Sequence, residues 1–267
     1  MPWEAPIEQV ALPKLVLSED QRVDVVHTQA PNDPVTAAAY KRLQRDIPKL
    51  QRFTNQYADL NPIYESLSDL IGTPMEDVDL LILHLDIADL EELQHRNQTA
   101  DAREQFDDEC RAVIDGIMRV APPITMGHPD VVEFEARQRE YKDQQITKAV
   151  KKAELALIRG IASSGELITQ ETETLANRLS QPSENTRLQT AQSGFARNAT
   201  VILFHLATAL PIAATEYVAT EAVKMAAQFV AAHATEILAI APTWGMNGLA
   251  WAESIIHQVR HFLGNLD

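Results

Sequence analysis

Thr73-Pro74-Met75-Glu76, followed closely by Leu80-Leu81-Ile82-Leu83-His84-Leu85, is the stretch on which the fold class turns. Taken alone, a short run of this apolar density suits a buried strand as well as a helix. What precedes it decides. Thr73 directly before Pro74, with Glu76 three residues beyond Thr73, has the capping-box pattern: a hydroxyl to accept an orphan backbone N–H, and a proline whose fixed φ and missing N–H suit the first helical position. The spacing, with the leucine-rich composition, predicts one helix over residues 74–97.

The same punctuation recurs on both sides. Asp33-Pro34 and Asn61-Pro62 predict helices over 34–57 and 62–71, the first bent at Pro48 and the second closed by Gly72. Asp101 with Glu104 is a looser box before a helix over 101–119, where Phe106, Cys110, Val113 and Ile117 form one apolar stripe. A single long charged helix is expected over 130–161, with Ile146, Val150, Ala153, Leu157 and Ile161 on one face, and a second pattern over 167–179. After Gln181-Pro182-Ser183 the composition becomes apolar. Helices are expected on either side of Pro211, followed by a last helix over 247–263 that turns Ala252, Ile256, Val259 and Leu263 inward and stops at Gly264.

Residues 1–33 differ. Pro2, Pro6, Pro13 and Pro31 are separated by short β-branched pieces such as Val23-Asp24-Val25-Val26, which reads as an extended arm with a short edge strand. Nine glycines and 6% aromatic residues, beside 45% hydrophobic residues, favour helices over the aromatic-rich strands of a sandwich. The expectation is an all-α multi-helix bundle in three parts: an arm (1–33), an acidic helical region with a long charged helix (34–181) and an apolar C-terminal helical hairpin region (182–267).

The formal net charge of −15 has the wrong sign for a nucleic-acid backbone, whose binding depends on Lys and Arg, and it favours basic or amphipathic protein segments as partners. It is unevenly spread: residues 1–150 carry 15 Lys and Arg against 28 Asp and Glu, whereas residues 151–267 carry 8 against 10. A single cysteine, Cys110, excludes an internal disulfide and a Cys-rich zinc site, and it lies on the apolar stripe as a small hydrophobe. Met1-Pro2-Trp3-Glu4 lacks the basic and apolar regions of a standard signal peptide, so a cytoplasmic location is expected, with membrane association on activation as a variant.

Motifs of defined spacing are sparse. The sequence has no glycine-rich phosphate loop, dinucleotide fingerprint, nucleophile elbow or His-Glu-x-x-His pair, and no cofactor is expected. Glu92 and His95 have the Glu-x-x-His spacing of di-iron bundles, but a second copy is missing. Glu253, His257 and His261 project at intervals of four from one side of the last helix, as metal ligands or as an exposed face whose histidines suit the helix C-terminus. His205 and His233 stand in apolar surroundings, as protonation triggers or as hydrogen-bonded core histidines.

Three functional expectations follow. The first is a non-enzymatic helical interaction or regulatory protein. The second is a membrane-active effector whose residues 199–241 insert after a trigger, and the third is a metal-dependent helical enzyme.

Overall fold

The computed structural model describes residues 13–26, 33–98, 105–125, 128–143, 146–208, 221–244 and 247–264. This part of the chain is mostly helical, with 79% in helices against 4% in strands, and the class is all-α. The chain divides into two compact units made of interleaved pieces: an acidic unit of residues 27–140 with 185–188, and a hairpin unit of residues 1–26, 141–184 and 189–267. The long charged helix expected over 130–161 is two helices, Pro129–Asp143 and Lys148–Ala162. Thr147 is extended, and its hydroxyl accepts the Val150 N–H at 3.3 Å, so a second helix starts there.

In the acidic unit, α1 (Pro34–Asp46) begins where its sequence predicts. Asp33 Oδ1 accepts the N–H groups of Val35 and Thr36 at 2.9 and 3.1 Å. Pro48 then tightens the chain into a 3-10 turn, Ile47–Leu50, before the short α2 (Gln51–Thr54). After α3 (Asn61–Gly72) the expected capping box is corrected. Thr73 is extended and its hydroxyl donates backward to the Leu70 carbonyl at 2.7 Å, so it closes α3 instead of opening the next helix. Pro74 is extended as well, and a 3-10 turn, Met75–Asp77, intervenes.

Helix α4 (Leu80–Gln98) is opened by Asp79, whose Oδ1 accepts from Leu81 N at 2.8 Å and Ile82 N at 3.1 Å. One carboxylate oxygen serving two orphan donors is a stronger cap than a lone hydroxyl. The leucine run of α4 is helical and buried on almost every side, from Leu80 and Leu81 through Leu83, Leu85, Ile87 and Leu90. Asp79→Ala is expected to lower stability by about 1 kcal/mol in urea denaturation and Thr73→Ala by a few tenths; equal losses would return the cap to Thr73.

Helix α5 (Asp108–Val120) is capped by Asp107, whose Oδ1 accepts the Cys110 N–H at 2.7 Å, whereas Asp101 and Glu104 lie outside the described residues. It buries Cys110, Ile114, Ile117 and Val120. The short α6 (Pro122–Thr125) and α7 (Pro129–Asp143) complete the unit's helices.

The hairpin unit takes its name from the described part of the expected arm. Strands β1 (Leu15–Leu17) and β2 (Val23–Val25) pair antiparallel, Leu15 with Val25 and Leu17 with Val23. The turn uses Gln21 at φ 58°. Val23 then makes a parallel bridge: its N–H donates to Leu167 O at 2.8 Å and its carbonyl accepts from Thr169 N at 3.0 Å. The pairing buries Leu15, Val23 and Val25.

The helices that follow in the chain are α8 (Lys148–Ala162), α9 (Gln170–Leu179), α10 (Thr186–Thr208), α11 (Glu221–Ala232), α12 (Ala234–Ile240) and α13 (Gly248–Leu263). The first residues of α10 belong to the acidic unit and the rest to the hairpin unit. Phe204, Trp244 and Trp251 form an edge-to-face cluster, with Phe204 and Trp251 centroids 5.0 Å apart. Pro211, the expected hinge of the apolar hairpin, lies outside the described residues.

Candidate functional site

The hairpin unit carries a groove of about 350 Å³ lined by Leu15, Val16, Leu17, Gln21, Ile202, His205, Leu206 and Val223. Its walls come from β1, the end of α10 and the start of α11, segments just over 200 residues apart at the extremes. On β1 Leu15 is buried, whereas Val16 and Leu17 remain 46% and 43% exposed. On α10 the helical period sets the buried Ile202 and Leu206 four residues apart, with the exposed His205 beside them. The apolar walls partly desolvate His205, and that burial holds its imidazole below the usual range. The neutral ring is the favoured form at pH 7, with one nitrogen able to donate and the other to accept. Glu19 and Asp20, in the turn between two lining residues, and Glu221, two residues before Val223, are all exposed.

The other histidine considered a trigger has a packing role. His233 sits at the elbow between α11 and α12, where the chain bends by 69° through the stretch ending at Trp244. Its ring stacks on Phe229, with centroids 4.4 Å apart, and lies against Gly160 of α8, where a Cβ would come within 2.6 Å of the imidazole. Glu236 Oε2 is 4.0 Å from its Nδ1. A glycine at 160 is what lets α8 and this elbow approach closely.

The candidate metal ligands are placed as follows. Glu253, His257 and His261 lie on the exposed face of α13, while His95 is exposed and Glu92 half-buried on α4. Among the described residues no three His, Cys, Asp or Glu side chains are grouped to hold a metal ion. Cys110 is fully buried, and burial, reinforced by the charge of Asp107, pushes its thiol up to about 12, which keeps it protonated.

A polar network in the acidic unit was not legible in the sequence. His84 Nε2 lies 2.8 Å from Glu135 Oε1, although off the hydrogen-bond axis, and Phe134 meets the His84 ring edge-on. Arg187 Nε donates to the same Glu135 oxygen at 3.0 Å, and its Nη1 reaches Glu91 Oε2 at 2.8 Å. Asn185 Nδ2 adds a bond to the Ala88 carbonyl at 2.8 Å. His84 and then the Arg187 charge hold Glu135 below the usual carboxylate range against the opposing effect of burial. Together these contacts tie residues 185–188 to α4 and α7.

Among the described residues no single helix is long and apolar enough to cross a membrane; residues 221–232 and 234–244 pass by length and composition only as a bent pair. Comparison with known proteins finds no matching family model, no matching curated protein and no matching solved structure.

Proposed function

We propose that the protein is a non-enzymatic helical interaction protein whose groove receives an amphipathic, basic segment of a protein partner. The observation that carries this reading is the groove itself: apolar walls from three separated segments, with Val16 and Leu17 left exposed. An apolar helix face seated there would cover the exposed Leu17 against the already buried Ile202, Leu206 and Val223. Basic side chains flanking that face would meet Glu19, Asp20 and Glu221, the pattern of helix-in-groove recognition. The net charge of −15 supports the same polarity of partner and speeds its encounter.

The test is fluorescence anisotropy with a labelled Leu/Lys amphipathic peptide and its scrambled isomer of identical composition. The expected result is binding of the amphipathic isomer at least about tenfold tighter, with the difference lost in Leu17→Asp, since a buried charge forfeits the apolar contact and is left unpaired. Equal binding of both isomers would reduce the interaction to bulk charge and overturn the proposal. Among the described residues, the bent pair 221–232 and 234–244 is what supports a membrane-associated reading; flotation with liposomes at neutral and mildly acidic pH, measured on the same protein, separates it from peptide binding.

A further inference from the structure

On an acidic unit with 12 Lys and Arg against 22 Asp and Glu, one ridge is cationic. Lys41, Arg42, Arg45, Lys49 and Arg52 are all exposed along α1, the 3-10 turn and α2. Three of them converge on one carboxylate. Arg42 Nε is 3.5 Å from Asp46 Oδ2, while Arg45 Nε and Lys49 Nζ are 3.3 and 2.5 Å from Oδ1. Pro48 contributes to this convergence: in a 3-10 turn residues three apart eclipse, and Lys49 is thereby stacked over Asp46. Arg52 is differently engaged, pairing with Glu109 at 2.6 Å and covering the Phe53 ring.

The charges around Asp46 do not balance. Asp46 is 7% exposed and lies beneath, whereas the three cations keep 47–66% of their side chains in solvent. One negative charge against three positive ones leaves two cationic equivalents facing outward, with guanidinium N–H donors not used by Asp46. We infer that Arg42, Arg45 and Lys49 form a binding site for a compact dianion, the phosphate monoester group. Its doubly negative, oxygen-rich surface matches the excess charge and the arginine donors. A long polyanion fits less well. Salt confines the ridge's attraction to roughly 8–10 Å, and a polymer extending further meets the net negative charge of the rest of the unit.

Isothermal titration of the full chain at pH 8 and low salt tests this, with inorganic phosphate and a phosphoserine peptide beside its unphosphorylated form as separate probes. Saturable binding of phosphate or of the phosphopeptide, weakened at least tenfold in the Arg45→Gln/Lys49→Gln variant, is expected. Preference for the phosphopeptide would assign the ligand to a modified protein, and preference for free phosphate to a small molecule. Asp46→Asn guards against a variant that misfolds: removing the competing charge without changing the side chain's shape is expected to tighten binding severalfold. The proposal is overturned if neither probe binds saturably to the natural chain, or if the double variant, folded by circular dichroism, and Asp46→Asn both leave binding unchanged.

Discussion

Replacing Glu154 by glutamine is expected to stabilise the protein by about 2–3 kcal/mol at pH 8 and by almost nothing at pH 4. Glu154 is on α8, 3% exposed, and burial pushes its carboxyl up to about 7 despite the opposing Ser193 hydroxyl and Lys151 charge. The unfolded chain releases this proton near the ordinary glutamate value of 4.5. Below that value both states hold the proton and the group costs nothing. Between there and about 7 the unfolded state alone ionises, so stability falls as pH rises; above about 7 the loss is complete and constant. Glutamine keeps the shape and a polar partner for Ser193 without an ionisable proton. Denaturant titrations of both chains at pH 4, 6 and 8 would show the two curves separating as pH rises. A glutamine variant less stable by the same amount at every pH would mean that the native carboxylate is ionised and held by Lys151.

Gly248→Ala is expected to cost roughly 2–3 kcal/mol, although alanine is the better helix former. Gly248 opens α13, and a Cβ there would collide with the backbone carbonyl of Ala241 and lie 2.9 Å from Trp244 Cβ. Neither obstacle is the end of a flexible side chain, so the 3-10 turn Ala241–Trp244 or the start of α13 must shift. Trp244 and Trp251, packed with their centroids 6.0 Å apart, should report the shift as altered tryptophan emission. Gly116→Ala in α5 is the internal comparison. Nothing lies within 4 Å of its added Cβ, so the same substitution should stabilise by about 0.5–1 kcal/mol through helix propensity alone. If the two variants changed stability alike, the close approach at Gly248 would carry no energetic weight.

The histidines illustrate how little one-dimensional spacing says about environment. His205 and His233 share an apolar neighbourhood in sequence, yet one is exposed at a groove and the other is stacked on Phe229 against Gly160. Regular spacing identified Glu253, His257 and His261 as neighbours on one helix face, which the backbone period alone guarantees. Whether a fourth group approaches that face depends on other elements, and the period is silent about them.

Local chemistry by itself determined the helical class, the cap at Asp33, a disruption at Pro48, the inward placement of Ala252, Ile256 and Val259 on α13 and its stop at Gly264, because each depends on side chains within a few residues of the backbone they act on, whereas Leu263 is only half-buried and the helix expected to run on to residue 57 gives way to a 3-10 turn and the short α2. It misplaced the start of α4, since Thr73 and Asp79 both offer capping oxygens and the sequence does not show which way the Thr73 hydroxyl turns. Only the tertiary structure decided the groove, the His84–Glu135–Arg187 network and the burial of Glu154. Each brings together side chains from separated segments, or desolvates a group through elements far along the chain, and those terms depend on distances in space that no short-range pattern encodes.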